Sequence, residues 1–172
     1  MTAPFRVLAL SAAHDATEFS CGVAALDAYI RTQASQDVRR RASACYVALD
    51  NRVQPTPDNA QVAAYYTLAA ASVALTELPA ALAKRLPRYP SVPVARVGRL
   101  AVALADQGRK LGAALLADAV LRILRSEVAI FALVVGAKDV AAERFYAHHG
   151  FEPYGAQPRR LVLPLARFKV TG

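Results

Sequence analysis

Arg99-Leu100-Ala101-Val102-Ala103-Leu104-Ala105-Asp106-Gln107-Gly108-Arg109-Lys110-Leu111-Gly112-Ala113-Ala114-Leu115-Leu116 reads as a strand that runs through a short glycine turn into an amphipathic helix. Pro90 and Pro93 introduce the strand, which extends from about Val94 to Leu104. The helix runs from about Gly108 to Arg125, and Leu111, Leu115, Ala119 and Ile123 give it an apolar stripe at every fourth residue. A helix's first turn leaves N–H groups without partners, and with the macrodipole these make an anion site. Gly108 has no Cβ to keep a pyrophosphate away from the backbone. Gly112 lets the helix lie close to a neighbouring strand or to the ligand, and Arg109 and Lys110 add positive charge. An ordinary helix start with two exposed bases fits the same residues.

Downstream, Ile130-Phe131-Ala132-Leu133-Val134-Val135 is an unbroken apolar run of strand length, so it reads as a strand buried on both faces. Val140 to His149 follows as a helix, with Gly150 placed as a left-handed C-terminal residue. Arg160-Leu161-Val162-Leu163-Pro164-Leu165 reads as a last strand. Upstream, Ala44–Leu49 and Val62–Leu68 read as two strands of a hairpin joined by the Pro- and Asn-containing loop Asp50–Asn59. Gly22 to Gln36 has helical spacing, with Val23, Leu26, Tyr29 and Ile30 on one face. Leu78 to Leu86 is a shorter helix, begun near Pro79 and stopped by Pro87. The alternation of strands and helices gives an α/β fold with a mixed sheet, and no function by itself.

The chain has 172 residues, which fits one domain with a real core, 1–172. Its apolar stretches are interrupted and none reads as a membrane span. The opening residues Met1 to Arg6 lack the basic and apolar regions of a signal peptide. Cys21 and Cys45 stand alone, outside any C-x-x-C spacing, and read as reduced and buried. A cytoplasmic protein that does not use a membrane is therefore expected. There is no metal constellation. Twenty-one Lys and Arg against 13 acidic residues give a net charge of +8. That balance suits polyanionic ligands such as nucleic acid, an acidic protein or a phosphate-rich cofactor, and equally a plain solubility charge.

Gln107-Gly108-Arg109-Lys110-Leu111-Gly112 resembles the acetyl-CoA pyrophosphate loop of GNAT acetyltransferases, Q/R-x-x-G-x-G/A. The middle glycine of that pattern falls on Lys110, which can still donate its N–H but has less conformational freedom. Ala141-Ala142-Glu143-Arg144-Phe145-Tyr146-Ala147-His148-His149-Gly150-Phe151 resembles the family's late helix and turn, A-x-x-F-Y-x-x-x-G-F. The resemblance implies a GNAT fold, with a mixed sheet of six to seven strands and about four helices. It implies acetyl-CoA as cosubstrate, held by Leu100, Ala101, Val102, Gln107, Gly108, Arg109, Lys110, Leu111, Gly112, Ala113 and Phe145. It also implies Tyr146 near the CoA sulfur, as the acid that protonates the departing thiolate. A backbone N–H on the Leu100–Val102 strand would steady the oxyanion.

Within the family the chain is similar to toxins of toxin–antitoxin pairs that acetylate aminoacyl-tRNA. Phe19-Ser20-Cys21-Gly22 through Leu26-Asp27-Ala28-Tyr29-Ile30, Ala44–Leu49, and Pro93 to Gly98-Arg99-Leu100-Ala101-Val102 carry this likeness. Ala103 departs from it, since an Asp usually follows the Val. The resemblance implies an aminoacyl-tRNA substrate, a homodimer, and a small DNA-binding antitoxin as partner. Arg39, Arg40, Arg41, Arg85 and Arg88 are candidate tRNA contacts, although basic runs near helix ends more often complement the dipole or sit in solvent. No Glu or Asp base stands out. An α-amino group, with a pKa near 7.7–8.0, is already partly neutral and needs no strong base, unlike a Lys side chain. His148 and His149 read as exposed or dipole partners. A GNAT acting on a small-molecule or protein amine, a catalytically inactive CoA-binding module, and a simple nucleic-acid-binding protein remain alternatives.

Overall fold

A computed structural model describes residues Pro4–Asn51 and Ala60–Phe168. The strands are β1 (Phe5–Ala9), β2 (His14–Asp15), β3 (Ala44–Asp50), β4 (Ala60–Gln61), β5 (Ala64–Ala74), β6 (Ser91–Val102), β7 (Ala132–Gly136), β8 (Glu152–Pro153) and β9 (Arg160–Pro164). The α-helices are α1 (Ala24–Ala28), α2 (Ala34–Arg39), α3 (Ala80–Ala83), α4 (Leu111–Leu124) and α5 (Val140–His148). Seven strands form one mixed sheet in the order β1-β3-β5-β6-β7-β9-β8, and β2 and β4 form a small parallel ribbon. This is the mixed α/β sheet expected, with β8 as an added short strand. The chain forms two compact units. One comprises the residues up to Ala69 with Arg99–Ala119, the other Ala70–Gly98 with the residues from Val120 onward.

In the first unit, β3 pairs antiparallel with both β1 and β5, and Ala44 lies opposite Leu68. The hairpin expected from the sequence is therefore present, while residues 52–59 of its loop lie outside the described residues, as do residues 1–3 at the N-terminus. Phe19, Tyr29, Ile30, Ala34, Val47 and Tyr65 fill this unit's core. The helix expected over 22–36 is not continuous. A π-helical turn, Tyr29–Gln33, separates α1 from α2. Such a turn inserts a residue into the helical period and re-aims the side chains around it. It leaves the Tyr29 hydroxyl donating to Asp37 Oδ2 at 2.8 Å, eight residues on.

In the second unit, β6 runs parallel to β7, and β9 runs antiparallel to both β7 and β8. Ala132, Leu133, Val134 and Val135 are all buried, as an apolar strand covered on both faces requires. Val73, Leu78, Leu82, Val92, Val94 and Tyr154 pack with Ala132 and Val134 on the face that α3 covers. α3 spans only Ala80–Ala83, with Pro79 preceding it as its cap residue. α5 is capped by Asp139, whose carboxylate accepts the Ala142 N–H at 2.8 Å. It ends before Gly150, whose φ of +95° is the left-handed value expected there.

Candidate active site

The first unit holds the loop. β6 ends at Val102, a 3-10 turn covers Leu104–Asp106, and α4 begins at Leu111. Three bonds fix the end of β6. The Arg99 N–H donates to Thr67 Oγ1 at 3.0 Å, the Ala103 N–H to the Ala63 carbonyl at 2.9 Å, and the Leu104 N–H to the Ser20 carbonyl at 2.8 Å. Thr67 is 1% exposed, and its hydroxyl oxygen takes the Arg99 N–H. On the helical side the Arg99 guanidinium lies 3.6 Å over the Tyr29 ring. Burial, and then Asp37, push the Tyr29 hydroxyl up to about 12. Leu100, Ala101 and Val102 thus sit on a segment held from both sides.

Beyond the 3-10 turn the backbone enters the left-handed region twice, with φ +84° at Gly108 and +60° at Lys110. A Cβ at Gly108 would meet no atom within 4 Å, so its glycine answers to the backbone angle and not to crowding. Lys110 occupies the position of the family pattern's middle glycine and adopts a glycine-favoured angle. A residue with a Cβ holds that angle at a strain cost. Ala114 N–H to the Lys110 carbonyl, 3.2 Å, starts the α4 ladder, so the N–H groups of Leu111, Gly112 and Ala113 precede it and have no partner within the helix. Leu111, Leu115, Ala119 and Ile123 are all buried, as their spacing requires.

Two loop side chains turn inward. Gln107 Nε2 donates to the carbonyls of Cys21 and Val102, at 3.3 and 3.0 Å, and so ties the loop to the turn ahead of α1. Arg109 Nη1 meets Asp106 Oδ1 at 3.1 Å and Asp50 Oδ2 at 3.6 Å, and its guanidinium lies 4.5 Å over the Phe5 ring. The charge that the sequence assigns to the loop through Arg109 is thus matched by two carboxylates. The exposed Lys110 is the loop's free cation among the described residues. The loop fits a pyrophosphate through its backbone course and its N–H groups.

The second unit holds the aromatic pair. Tyr146 is 7% exposed, and its ring packs edge-on against Phe145 and Phe151 at 5.3 and 5.4 Å. Phe145 is half-buried and also packs on His149 at 4.8 Å. Among the described residues the Tyr146 hydroxyl has no hydrogen-bond partner, and burial alone pushes it up to about 12. The ring is fixed and the hydroxyl stays protonated, which suits a proton donor. Burial, and then His148, hold His149 below the usual imidazole range, so it is neutral at pH 7.

The basic candidates are separated. Arg39, Arg40 and Arg41 are exposed at the end of α2 in the first unit, with Arg41 left-handed at φ +58°. Arg39 also borders a groove of about 660 Å³ floored by Leu10, Ile30 and Val38. Arg85 and Arg88 are exposed after α3 in the second unit. Sequence reasoning missed Thr67, and it placed Asp27 in the family likeness without giving it a role. Asp27 is 8% exposed, and its Oδ1 accepts the Cys21 N–H at 2.8 Å. A buried Asp in an apolar helix was the available signal, whereas Thr67 gave none. Cys21 and Cys45 are both free and buried, as expected. Among the described residues no helix is long and apolar enough to cross a membrane, and no three His, Cys, Asp or Glu residues group to hold a metal.

A strand, a left-handed glycine loop and a helix N-terminus, followed by a buried strand and the Phe145-Tyr146 helix, define an acyl-CoA-binding acetyltransferase. The acetyltransferase (GNAT) domain family matches residues 46–170. The chain belongs to the GNAT acetyltransferases and is related to the tRNA-acetylating toxins of toxin–antitoxin systems. A tRNA-acetylating toxin of Mycobacterium tuberculosis is 35% identical over 94% of this chain and 91% of its own length. The structure of AtaT complexed with acetyl-methionyl-tRNAfMet superposes with a TM-score of 0.85, at 30% identity over 95% of this chain and 96% of that one. A tyrosine-to-phenylalanine mutant of AtaT, bound to the C-terminus of the antitoxin AtaR and to acetyl-CoA, superposes at 0.79, with 26% identity over 96% of each chain.

Proposed function

We propose that the chain, acting as one GNAT domain over 1–172, moves an acetyl group from acetyl-CoA to the α-amino group of aminoacyl-tRNA. In this reading it is a translation-blocking toxin, dimeric and restrained by a small DNA-binding antitoxin. The observation that carries the reading is the left-handed Gly108–Lys110 loop opening onto the first turn of α4. The relatives' tRNA and antitoxin complexes supply the acceptor and the partner.

The backbone N–H groups of Gly108 to Ala113 hold the pyrophosphate, Lys110 adds charge, and Gln107 and Arg109 keep the loop's shape. Bound acetyl-CoA supplies the acetyl group as an activated thioester. A backbone N–H of Leu100 to Val102 stabilises the oxyanion. Tyr146 gives its proton to the leaving sulfur, and Phe145 packs beside it. Arg39, Arg40, Arg41, Arg85 and Arg88 contact tRNA phosphates.

The test is transfer from labelled acetyl-CoA to a mixed pool of charged tRNA, with wild type and Tyr146→Phe side by side. Label on the aminoacyl end with wild type, reduced about 10²–10⁴-fold in the variant, is the expected result. No label while acetyl-CoA still binds would move the acceptor to a small-molecule or protein amine. Unchanged turnover in the variant would remove Tyr146 from the chemistry.

A further inference from the structure

Two arginines in the second unit share a face, and the carboxylate that the register brings to that face, Glu152, pairs with Arg167 instead. Arg96 on β6 lies opposite Val134 of β7, and Arg160 on β9 lies opposite Gly136 of the same strand. Cross-strand partners share a face, and so do residues two apart on one strand. Arg96 and Arg160 therefore stand on one side of the sheet and flank β7. A cavity of about 110 Å³ opens there, bordered by both arginines together with Ser72, Val94, Val134, Gly136 and Tyr154, and no acidic residue lines it. Among the described residues neither guanidinium meets a carboxylate. Arg160 is held 4.9 Å over the Tyr154 ring, which pre-orients it.

Gly136 gives the cavity its floor. A Cβ built there would meet no atom within 4 Å, so the space beside Gly136 is open and a longer side chain at this position would enter it. Strand spacing and the two-residue offset put the arginine Cα atoms about 12 Å apart, a span that two arginine side chains close when they converge on one tetrahedral anion. Two like charges beside one small, apolar-floored cavity repel each other, and an anion with paired acceptor oxygens offsets that repulsion. The guanidinium fork matches phosphate.

We infer that Arg96 and Arg160, with Gly136 between them, form a phosphate site that holds one backbone phosphate of the RNA acceptor. This rests on the aminoacyl-tRNA reading above. It adds a built contact where sequence reasoning offered only exposed basic runs.

The experiment measures binding of uncharged tRNA by fluorescence anisotropy across a salt series, for wild type, Arg96→Gln, Arg160→Gln and Gly136→Leu. Each arginine variant is expected to bind about tenfold more weakly. The slope of log affinity against log salt flattens by roughly 0.7 to 0.9 for each lost contact. Gly136→Leu keeps both charges but fills the space, and weakens binding likewise. If a thermal melt shows this variant unfolded, the arginine variants decide alone. The KM for charged tRNA rises in parallel while the KM for acetyl-CoA stays. Unchanged affinity and slope in both arginine variants overturns the site, even if acetylation of tRNA proceeds. Arginine-dependent binding without acetyl transfer keeps the site and sinks the acceptor reading. A wild type that binds no tRNA overturns both.

Discussion

Replacing Lys110 by glycine should stabilise the protein, although it removes a side chain from a loop read as binding an anion. Lys110 sits at φ +60° and is exposed, and no partner holds its ammonium among the described residues. A residue with a Cβ pays about 1–2 kcal/mol in the left-handed region. Glycine removes that strain but loses about 0.4–1 kcal/mol through its greater freedom in the unfolded chain. The net expectation is a gain of about 0.5–1 kcal/mol, or about 1–4 °C in Tm for a chain of this size. Lys110→Ala separates the two effects. It loses the charge and keeps the strain, so its Tm stays near wild type and below that of Lys110→Gly. Both variants lose the same charge, so both raise the KM for acetyl-CoA, by less than about tenfold for an exposed ion pair. Thermal melts and acetyl-CoA titrations on the three proteins make the comparison. A Lys110→Gly protein less stable than Lys110→Ala would refute the claim that backbone angle governs this position.

Tyr146→Phe should leave the unfolding free energy within about 1 kcal/mol of wild type, because the hydroxyl it removes has no partner among the described residues; a large loss of stability would make its kinetic defect structural. Burial raises the Tyr146 acid to about 12, so the proton-donating form persists upward through the working range. The pH profile of kcat/KM should therefore climb as the acceptor α-amine deprotonates near 7.7–8.0 and show no descending limb by about pH 9; a fall there would point to another acid. Thr67→Val should cost about 1–3 kcal/mol by stranding the Arg99 N–H, whereas Thr67→Ser should not, as read from denaturant midpoints. Cys45 is 3% exposed, and burial pushes its thiol up to about 12. A thiol reagent at neutral pH should react with it only on unfolding, and fast labelling of the native protein would contradict that burial.

The elements legible in the sequence are those with a strong local period or punctuation. The stripe of α4, the buried run of β7, the hairpin strands β3 and β5, and the Gly150 stop after α5 follow from residue spacing and backbone angle alone. The loop could also be placed, because Gly108 between a strand and an amphipathic helix is a local pattern. What escaped depends on partners far apart in the chain. The π turn at Tyr29–Gln33 breaks a period that looked continuous, and it carries Tyr29 to Asp37 and beneath Arg99, seventy residues away. Thr67 matters only because β6 ends beside it.

Charge shows the same division. The net balance of +8 and the basic runs are legible in the residues themselves. It could not show that Arg109 is occupied by Asp50 and Asp106, since one of those carboxylates arrives from another strand. Nor could it show that Arg96 and Arg160 flank a glycine, because they lie 64 positions apart and meet only through their register with β7. Local sequence set the helices, the strands and the glycine turn proposed to bind an anion. Tertiary structure decided which charges are neutralised and which stay open, because a charge's availability depends on what the rest of the fold brings within a few ångströms of it.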